Sequence, residues 1–217
     1  MISFLPSHSS KFPDVSQAGP DGLLAIGGNL QPTTLLKAYA QGIFPWFNPE
    51  DPICWYAPPE RCVLFPQNIK ISKSMRQILR QGRFSYTTNQ CFEEVMRRCA
   101  TASGRQENGT WISEQMVAAY LQLHRLGHAM SVEVWLEEQL VGGLYGVLQG
   151  KVFCGESMFS LRPNASKAAL IYLCQHGGFS LIDCQVQNQH LLSMGAVLIS
   201  REEFMNILEQ EKNAGAQ

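Results

Sequence analysis

No stretch of this 217-residue chain approaches about 18 consecutive apolar residues, so no membrane-spanning helix is expected. The opening residues, Met1-Ile2-Ser3-Phe4-Leu5-Pro6, lack the basic start and long apolar centre of a secretory signal, and a cytoplasmic protein is expected. No two of the seven cysteines form a C-x-x-C pair, and their number is odd, which disfavours a disulfide framework or a thiolate zinc site. They read as small buried apolar residues. His124 and His128 stand four apart, but no Glu follows His124, so there is no H-E-x-x-H zinc motif and no metal is expected. Neither a G-x-x-x-x-G-K-[ST] loop nor a G-x-G-x-x-G turn occurs, and nothing indicates ATP or NAD. Neither sign of charge dominates: 17 Lys+Arg stand against 18 Asp+Glu, which excludes a uniformly basic nucleic-acid coat. Hydrophobic residues make up 45% and charged residues 16%, enough apolar material for a real core in one or two domains.

Charge is present in one place. From Met1 to Glu60 there are two basic and five acidic residues; from Arg61 to Arg105, nine basic and two acidic; from Gln106 to Gln217, six basic and eleven acidic. The middle segment holds Lys70, Lys73, Arg76, Arg80 and Arg83. Spacings of three and four put positions 73, 76, 80 and 83 on one helix face. Two readings fit: a solvated helix face, or a stripe that tracks phosphates on an otherwise acidic protein.

Turn signals crowd the first sixty residues, at Gly19-Pro20-Asp21-Gly22, Gly27-Gly28-Asn29 and Pro49-Glu50-Asp51-Pro52. One short helix, Pro32 to Gln41, fits between them, with Gly42 as its stop. A small irregular N-terminal domain over 1–62 is expected, with Arg61 to about Pro66 as the crossover into a larger domain over 63–217. In the larger domain, helices are expected over 71–81, 89–102 and 113–126, then strands over 130–136, 140–149 and 152–159. A helix over 164–176, a strand over 179–186, a helical turn over 190–194, a strand over 196–200 and a helix over 202–211 complete the order. This is α+β with a mixed sheet, compatible with the acyltransferase fold of the N-acetyltransferase superfamily. Coenzyme A enzymes of that kind usually carry a Gly-rich phosphate loop where this chain has Ser160 to Lys167 without a glycine, so coenzyme A is disfavoured.

Three segments could carry chemistry. In Leu181-Ile182-Asp183-Cys184-Gln185-Val186, strand alternation would point Asp183 and Gln185 the same way. In so apolar a strand, two polar groups cost about 1–3 kcal/mol each unless they are paired or used. They form either a structural pair at a sheet edge or part of a site. In Phe153-Cys154-Gly155-Glu156-Ser157-Met158-Phe159, Glu156 would be desolvated unless it met a cation, which is either an internal Lys or Arg or a positive group of a ligand. The aromatics Phe44, Trp46, Phe47, Trp55, Tyr56, Trp111 and Tyr120 either pack or stack bases of single-stranded nucleic acid.

Seven segments in order resemble one family: Gly22-Leu23-Leu24-Ala25-Ile26-Gly27-Gly28, Gly42-Ile43-Phe44-Pro45-Trp46-Phe47, Gly109-Thr110-Trp111-Ile112, Gly142-Gly143-Leu144-Tyr145-Gly146-Val147, Gly155-Glu156-Ser157-Met158-Phe159-Ser160, Ala165-Ser166-Lys167 and Leu181-Ile182-Asp183-Cys184-Gln185. They are similar to the leucyl/phenylalanyl-tRNA–protein transferases over roughly residues 12–205. The resemblance implies a bacterial enzyme with an acetyltransferase-like C-terminal domain. It implies transfer of Leu or Phe from charged tRNA to the α-amino group of proteins beginning with Arg or Lys, marking them for degradation by the N-degron pathway. It implies no cofactor, no membrane partner and a monomer.

Carried over by motif, Trp46 and Trp111 would hold the terminal adenosine, and Tyr39 and Tyr120 would line the same site. Leu144, Phe153, Ser157, Met158, Leu170, Leu173 and Ile182 would contribute to the aminoacyl pocket. Leu144 and Leu173 stand where Met and Phe are expected, Asn29 where Asp is, and Tyr56 where a second Trp is. Glu156 and Asp183 would face the acceptor peptide, and the basic stripe from Lys70 to Arg83 would meet the tRNA acceptor stem. Asp183 and Gln185 would be catalytic: Asp183 would accept a hydrogen bond from the Gln185 amide, leaving the Gln185 carbonyl to orient the attacking amine.

Overall fold

The structure, a computed structural model, describes residues 2–102 and 112–214. Trp111, with Gly109 and Thr110 before it, lies outside the described residues. Four short strands, β1 (Ser3–Leu5), β2 (Leu23–Gly27), β3 (Phe44–Pro45) and β4 (Cys54–Tyr56), form a first sheet in the order β1-β2-β4-β3. The segment expected to be irregular is therefore a sheet. Its strands run two to five residues, too short for alternation to register in the sequence. It closes around Trp55, which is fully buried, donates from Nε1 to the Gly27 carbonyl at 2.8 Å and meets the Phe12 ring edge-on. Between β2 and β3, α1 (Pro32–Tyr39) starts on a proline, whose missing N–H has no partner to lose at that position. Tyr39 is its last residue.

The second sheet has seven strands. In chain order they are β5 (Glu60–Leu64), β6 (Phe84–Thr88), β7 (Ala129–Leu136), β8 (Gln139–Gln149), β9 (Val152–Ser160), β10 (Leu181–Gln185) and β11 (Val197–Ser200). In space the order is β11-β5-β10-β9-β8-β7-β6. Only β9 and β10 are parallel neighbours; the other pairs are antiparallel. The result is the α+β mixed sheet that the element order implies. Two strands depart from that order. Residues 61–64 of the stretch expected as a crossover belong to β5, which lies between β11 and β10 and spans the division expected at 62. The edge strand β6 alternates Phe84 and Tyr86 with Ser85 and Thr87 and pairs with β7.

The helices follow their local signals. In α2 (Lys73–Arg80), the Ser72 hydroxyl accepts the Met75 N–H at 3.1 Å. After α3 (Phe92–Thr101), α4 (Glu114–Arg125) is capped by Ser113 and buries Met116, Tyr120 and Leu123, as the spacing predicts. Three helices complete the chain: α5 (Ala165–His176), α6 (Gln189–Ser193) and α7 (Arg201–Ala214). The sheet divides the core. Tyr145 and Val147 of β8 join the cluster holding α3, α4 and the N-terminal sheet, while Leu144 joins the cluster of Phe153, Leu170 and Ile182 under α5. α5 comes close because both surfaces are small: a Cβ on Gly142 would sit 2.5 Å from the Ala165 Cβ. No cysteine is exposed; Cys62, Cys99 and Cys154 are buried and the other four are half-buried. No helix of the described residues is long and apolar enough to cross a membrane.

Candidate active site

Two β-bulges open the sheet where β9 and β10 end their pairing. The parallel ladder runs Leu181↔Val152, Ile182↔Phe153 and Asp183↔Cys154. On β9, Gly155 faces Gly146 and Ser157 faces Tyr145, so Glu156 is an extra residue. On β10, Asp183 faces Val63 and Gln185 faces Cys62, so Cys184 is extra, and Gln185 takes a left-handed φ of 61°. Glycine is required opposite the first bulge, because a Cβ on Gly146 would lie 2.3 Å from the Cys154 carbonyl oxygen. The bulges aim Glu156 and Gln185 into the gap between the strands, where a cavity of about 320 Å³ opens.

Leu144, Phe153, Met158, Leu170, Ile182 and Leu191 give the cavity its apolar wall, and Ser157, Asn188 and His190 add polar atoms. A second, smaller cavity of about 130 Å³ is lined by Phe44, Pro45, Trp46 and Val186. The two share Glu156, Cys184 and Gln185. Trp46 is half-exposed and leans on Tyr56 at 5.8 Å between ring centres.

Asp183 does not bond the Gln185 side chain, as their expected catalytic roles had it. Its carboxylate is fully buried and clamped by Arg61, from Nε to Oδ1 at 2.8 Å and from Nη2 to Oδ2 at 2.7 Å. Its bond to Gln185 is with the backbone N–H, which donates to Oδ1 at 2.9 Å. The bulge explains the difference: the extra residue turns the Gln185 side chain away from Asp183. Arg61 is itself buried, donates from Nη1 to the Gly42 carbonyl at 3.1 Å, and lies between the Phe44 and Phe204 rings at 4.7 and 4.6 Å.

Glu156 meets no cation among the described residues. Three neutral donors hold it: the Tyr39 hydroxyl and Gln185 Nε2, each 2.7 Å from Oε1, and the Tyr120 hydroxyl, 3.2 Å from Oε2. The two phenol oxygens also lie within hydrogen-bond reach of each other; with one hydrogen apiece, the pair supplies two of the three contacts among Tyr39, Tyr120 and Glu156 at a time. Burial pushes the Glu156 carboxyl up to about 7; the bonds from Tyr39, Gln185 and Tyr120 pull the other way. Burial, then the nearby Glu156, also pushes both tyrosines well above their ordinary range, so they stay donors. The result is a carboxyl group with neutral neighbours, poised between its two charge states near neutrality, at the mouth of an apolar cavity. That is chemistry for receiving a cationic amine beside an apolar group.

Of the residues named from the sequence, Leu144, Phe153, Glu156, Ser157, Met158, Leu170, Ile182, Asp183 and Gln185 come together around the larger cavity. Trp46 lines the smaller one. Tyr39 and Tyr120 are buried beneath Glu156 and reach the site through their hydroxyls. Leu173 sits in the core under α5 and does not line the cavity. The stripe Lys70, Lys73, Arg76, Arg80 and Arg83 is exposed on α2 and its flanks, with no ion pair among the described residues. Sequence reasoning missed Arg61, whose only signal was a cation directly before the apolar run Cys62-Val63-Leu64 of β5. It also missed His190, whose Nε2 is buried without a partner among the described residues, and whose imidazole is held below its usual range by burial and then by Lys167.

The family described as leucyl/phenylalanyl-tRNA protein transferase matches residues 63–209, and its N-terminal domain matches residues 28–59. The chain is 53% identical over 213 residues to the leucyl/phenylalanyl-tRNA–protein transferase of Hydrogenovibrio crunogenus, covering 97% of this chain and 81% of that one. It is 54% identical to the protein of the same name from Cellvibrio japonicus, covering 96% and 90%, and 51% identical to that of Shigella dysenteriae, covering 95% and 89%. Among solved structures, FemX is similar at a TM-score of 0.45 and 9% identity, over 82% of this chain and 71% of that one. A GCN5-related N-acetyltransferase from Kribbella flavida is similar at 0.39 and 10%, over 76% and 60%. The family match over most of the chain, together with relatives at half identity along nearly its whole length, shows that this chain belongs to the leucyl/phenylalanyl-tRNA–protein transferase family.

Proposed function

We propose that this protein is an aminoacyltransferase that moves Leu or Phe from aminoacyl-tRNA to the α-amino group of proteins beginning with Arg or Lys, marking them for N-degron degradation. The observation that carries the site assignment is the apolar cavity whose mouth holds Glu156 and Gln185 side by side. The Leu or Phe side chain fills the cavity, and Trp46 beside the smaller cavity stacks on the terminal adenosine. The ester carbonyl then lies at the Glu156–Gln185 mouth.

The reaction is aminolysis of an ester. The amine nitrogen bonds to the carbonyl carbon, the bond to the ribose oxygen breaks, and the proton lost by the amine ends on the ribose hydroxyl. The step is downhill and needs neither ATP nor coenzyme A. An α-amino group has a reference pKa of about 7.7–8.0, so roughly a tenth is neutral near pH 7 and no strong base is required. Gln185 Nε2 is committed to Glu156, so its carbonyl is the free end and accepts a hydrogen bond from the attacking amine. Glu156, as carboxylate, faces the positive charge of the acceptor's first residue. Asp183 acts one step back by holding the Gln185 backbone. Holding ester and amine together supplies most of the acceleration; well-oriented intramolecular reactions gain about 7–11 kcal/mol this way.

The exposed stripe on α2 meets tRNA phosphates in this reading. Changing Lys73, Arg76, Arg80 and Arg83 together to Ala should weaken binding of charged tRNA and flatten the slope of log K against log salt by about 3.6, at roughly 0.9 for each of the four phosphates no longer neutralised. An unchanged slope, measured by filter binding across a salt series, would show that the stripe is only solvated.

The whole reading is tested by incubating the cytoplasmic, monomeric enzyme proposed here with tRNA carrying radiolabelled leucine and a peptide beginning with Arg, without ATP or coenzyme A. Label is expected on the Arg peptide and not on its Nα-acetylated form. Binding of charged tRNA without transfer would identify a binding module instead. Neither binding nor transfer, with acetyl-coenzyme A bound, would identify a different acyltransferase.

A further inference from the structure

We infer that Arg61 is a positioning residue of the transfer reaction, because its guanidinium closes a ring of hydrogen bonds that begins and ends on Glu156 Oε1. The inference rests on the reading of the Glu156–Gln185 mouth given above. The ring can be followed atom by atom. The Tyr39 hydroxyl donates to Glu156 Oε1 at 2.7 Å. The Tyr39 carbonyl accepts the Gly42 N–H at 3.0 Å, and the Gly42 carbonyl accepts from Arg61 Nη1 at 3.1 Å. Arg61 Nε donates to Asp183 Oδ1 at 2.8 Å, and the same oxygen takes the Gln185 N–H at 2.9 Å. Gln185 Nε2 then returns to Glu156 Oε1 at 2.7 Å.

Three parts of the chain, far apart in sequence, are brought into register by one side chain: the turn after α1, strand β5 and the bulge of β10. Two of the three groups that hold Glu156 hang from this frame. Only a planar fork can do this. It needs two parallel bonds to a carboxylate and a third in the same plane to a carbonyl, while both faces stack on aromatic rings. A lysine ammonium offers charge but neither the plane nor the paired bonds.

A plain stabilising role for Arg61 makes a different forecast, and two variants separate them. Arg61→Lys keeps the charge, so Asp183 is not left unpaired. Measured well below its melting temperature, with folding checked by circular dichroism, it should lose roughly 10- to 100-fold in kcat, the cost of a small misplacement of reacting groups. KM for aminoacyl-tRNA should stay within about twofold. The titratable groups around Glu156 are Tyr39, Tyr120, Asp183 and Cys154, with Cys184 and His190 lining the same cavity. Loosening the Tyr39 and Gln185 bonds removes donors that favour the carboxylate, so the low-pH limb of the rate profile should move to higher pH. Phe204→Leu removes one stacking face and should lower kcat about two- to fivefold with the same shift of the limb.

A folded Arg61→Lys with the wild-type kcat and an unmoved limb would overturn the inference. If Arg61→Lys does not fold, a folded Phe204→Leu with wild-type kcat and limb overturns it. Failure of the wild-type protein to move leucine at all would instead overturn the functional reading beneath.

Discussion

Gln185→Ala is expected to lower kcat for leucyl transfer by about 100- to 1,000-fold, within the range set by groups that handle a proton in the transition state. The side chain does two things at once. Its Nε2 occupies Glu156 Oε1, and that commitment leaves its carbonyl pointing to the amine. Alanine removes both. The melting temperature should move by no more than about 2 °C, because a half-buried polar side chain outside the core contributes little to stability. Gln185→Glu sharpens the test. It keeps an acceptor oxygen but cannot donate to Glu156 unless protonated, and it sets two carboxylates together. It should be no better than alanine near pH 8 and should recover activity only as the pH falls. Steady-state kinetics of both variants with charged tRNA and an Arg peptide give the answer. Near-normal kcat in Gln185→Ala would remove Gln185 from the reacting centre.

The second large effect concerns Glu156. Its pKa is raised to about 7 from an ordinary value of 4.5, chiefly by burial. The folded protein therefore holds this proton more tightly than the unfolded chain does. Between about pH 4.5 and 7 the unfolded chain has fewer protons bound here, so this group's contribution to stability falls as pH rises through that window. Function runs the other way, because only the carboxylate attracts a cation, so KM for an Arg peptide should rise as pH falls below about 7. Glu156→Gln should therefore separate the two. At pH 8 its melting temperature should equal or exceed the wild type, since a buried charge is gone. Its KM for the Arg peptide should be about 10- to 100-fold higher, the range for losing a hydrogen bond to a charged group, and should no longer vary with pH near 7. A variant that melts many degrees lower with an unchanged KM would make Glu156 a structural carboxylate.

Most residues of the candidate site could be named from the sequence, and the hydrogen bonds between them could not. Glu156, Asp183 and Gln185 stand out because polar groups in apolar strands are costly, and the family resemblance brought in Tyr39 and Tyr120. The bulges at 156 and 184 were hidden, because two-residue alternation carries no mark of an extra residue. Those bulges decide which side chain meets which, so Asp183 went to Arg61 and Gln185 to Glu156. Arg61 was hidden for a different reason. A cation directly before an apolar run predicts a partner but not its address, and the partner is 122 residues away. Leu173, carried over by motif, lies on the same helix as the cavity-lining Leu170 but in the buried cluster and not along the cavity. The helices and the longer strands were legible because caps, glycine stops and a 3.6-residue period are local. The N-terminal sheet escaped because strands of two to five residues offer too few positions to count.

The central claim is that the Glu156–Gln185 mouth is where the ester carbonyl is attacked. The most direct test is a crystal structure of the protein with adenosine that carries phenylalanine through a 3′-amide in place of the reactive ester. The phenyl ring should lie among Leu144, Met158, Leu170 and Ile182, with the adenine against Trp46. The amide carbonyl carbon should then sit where an amine bonded to the Gln185 carbonyl would approach it at about 3–3.5 Å. A phenyl ring outside the cavity, or a carbonyl carbon beyond about 6 Å from any atom of Gln185, too far for a near-attack geometry, would contradict the account.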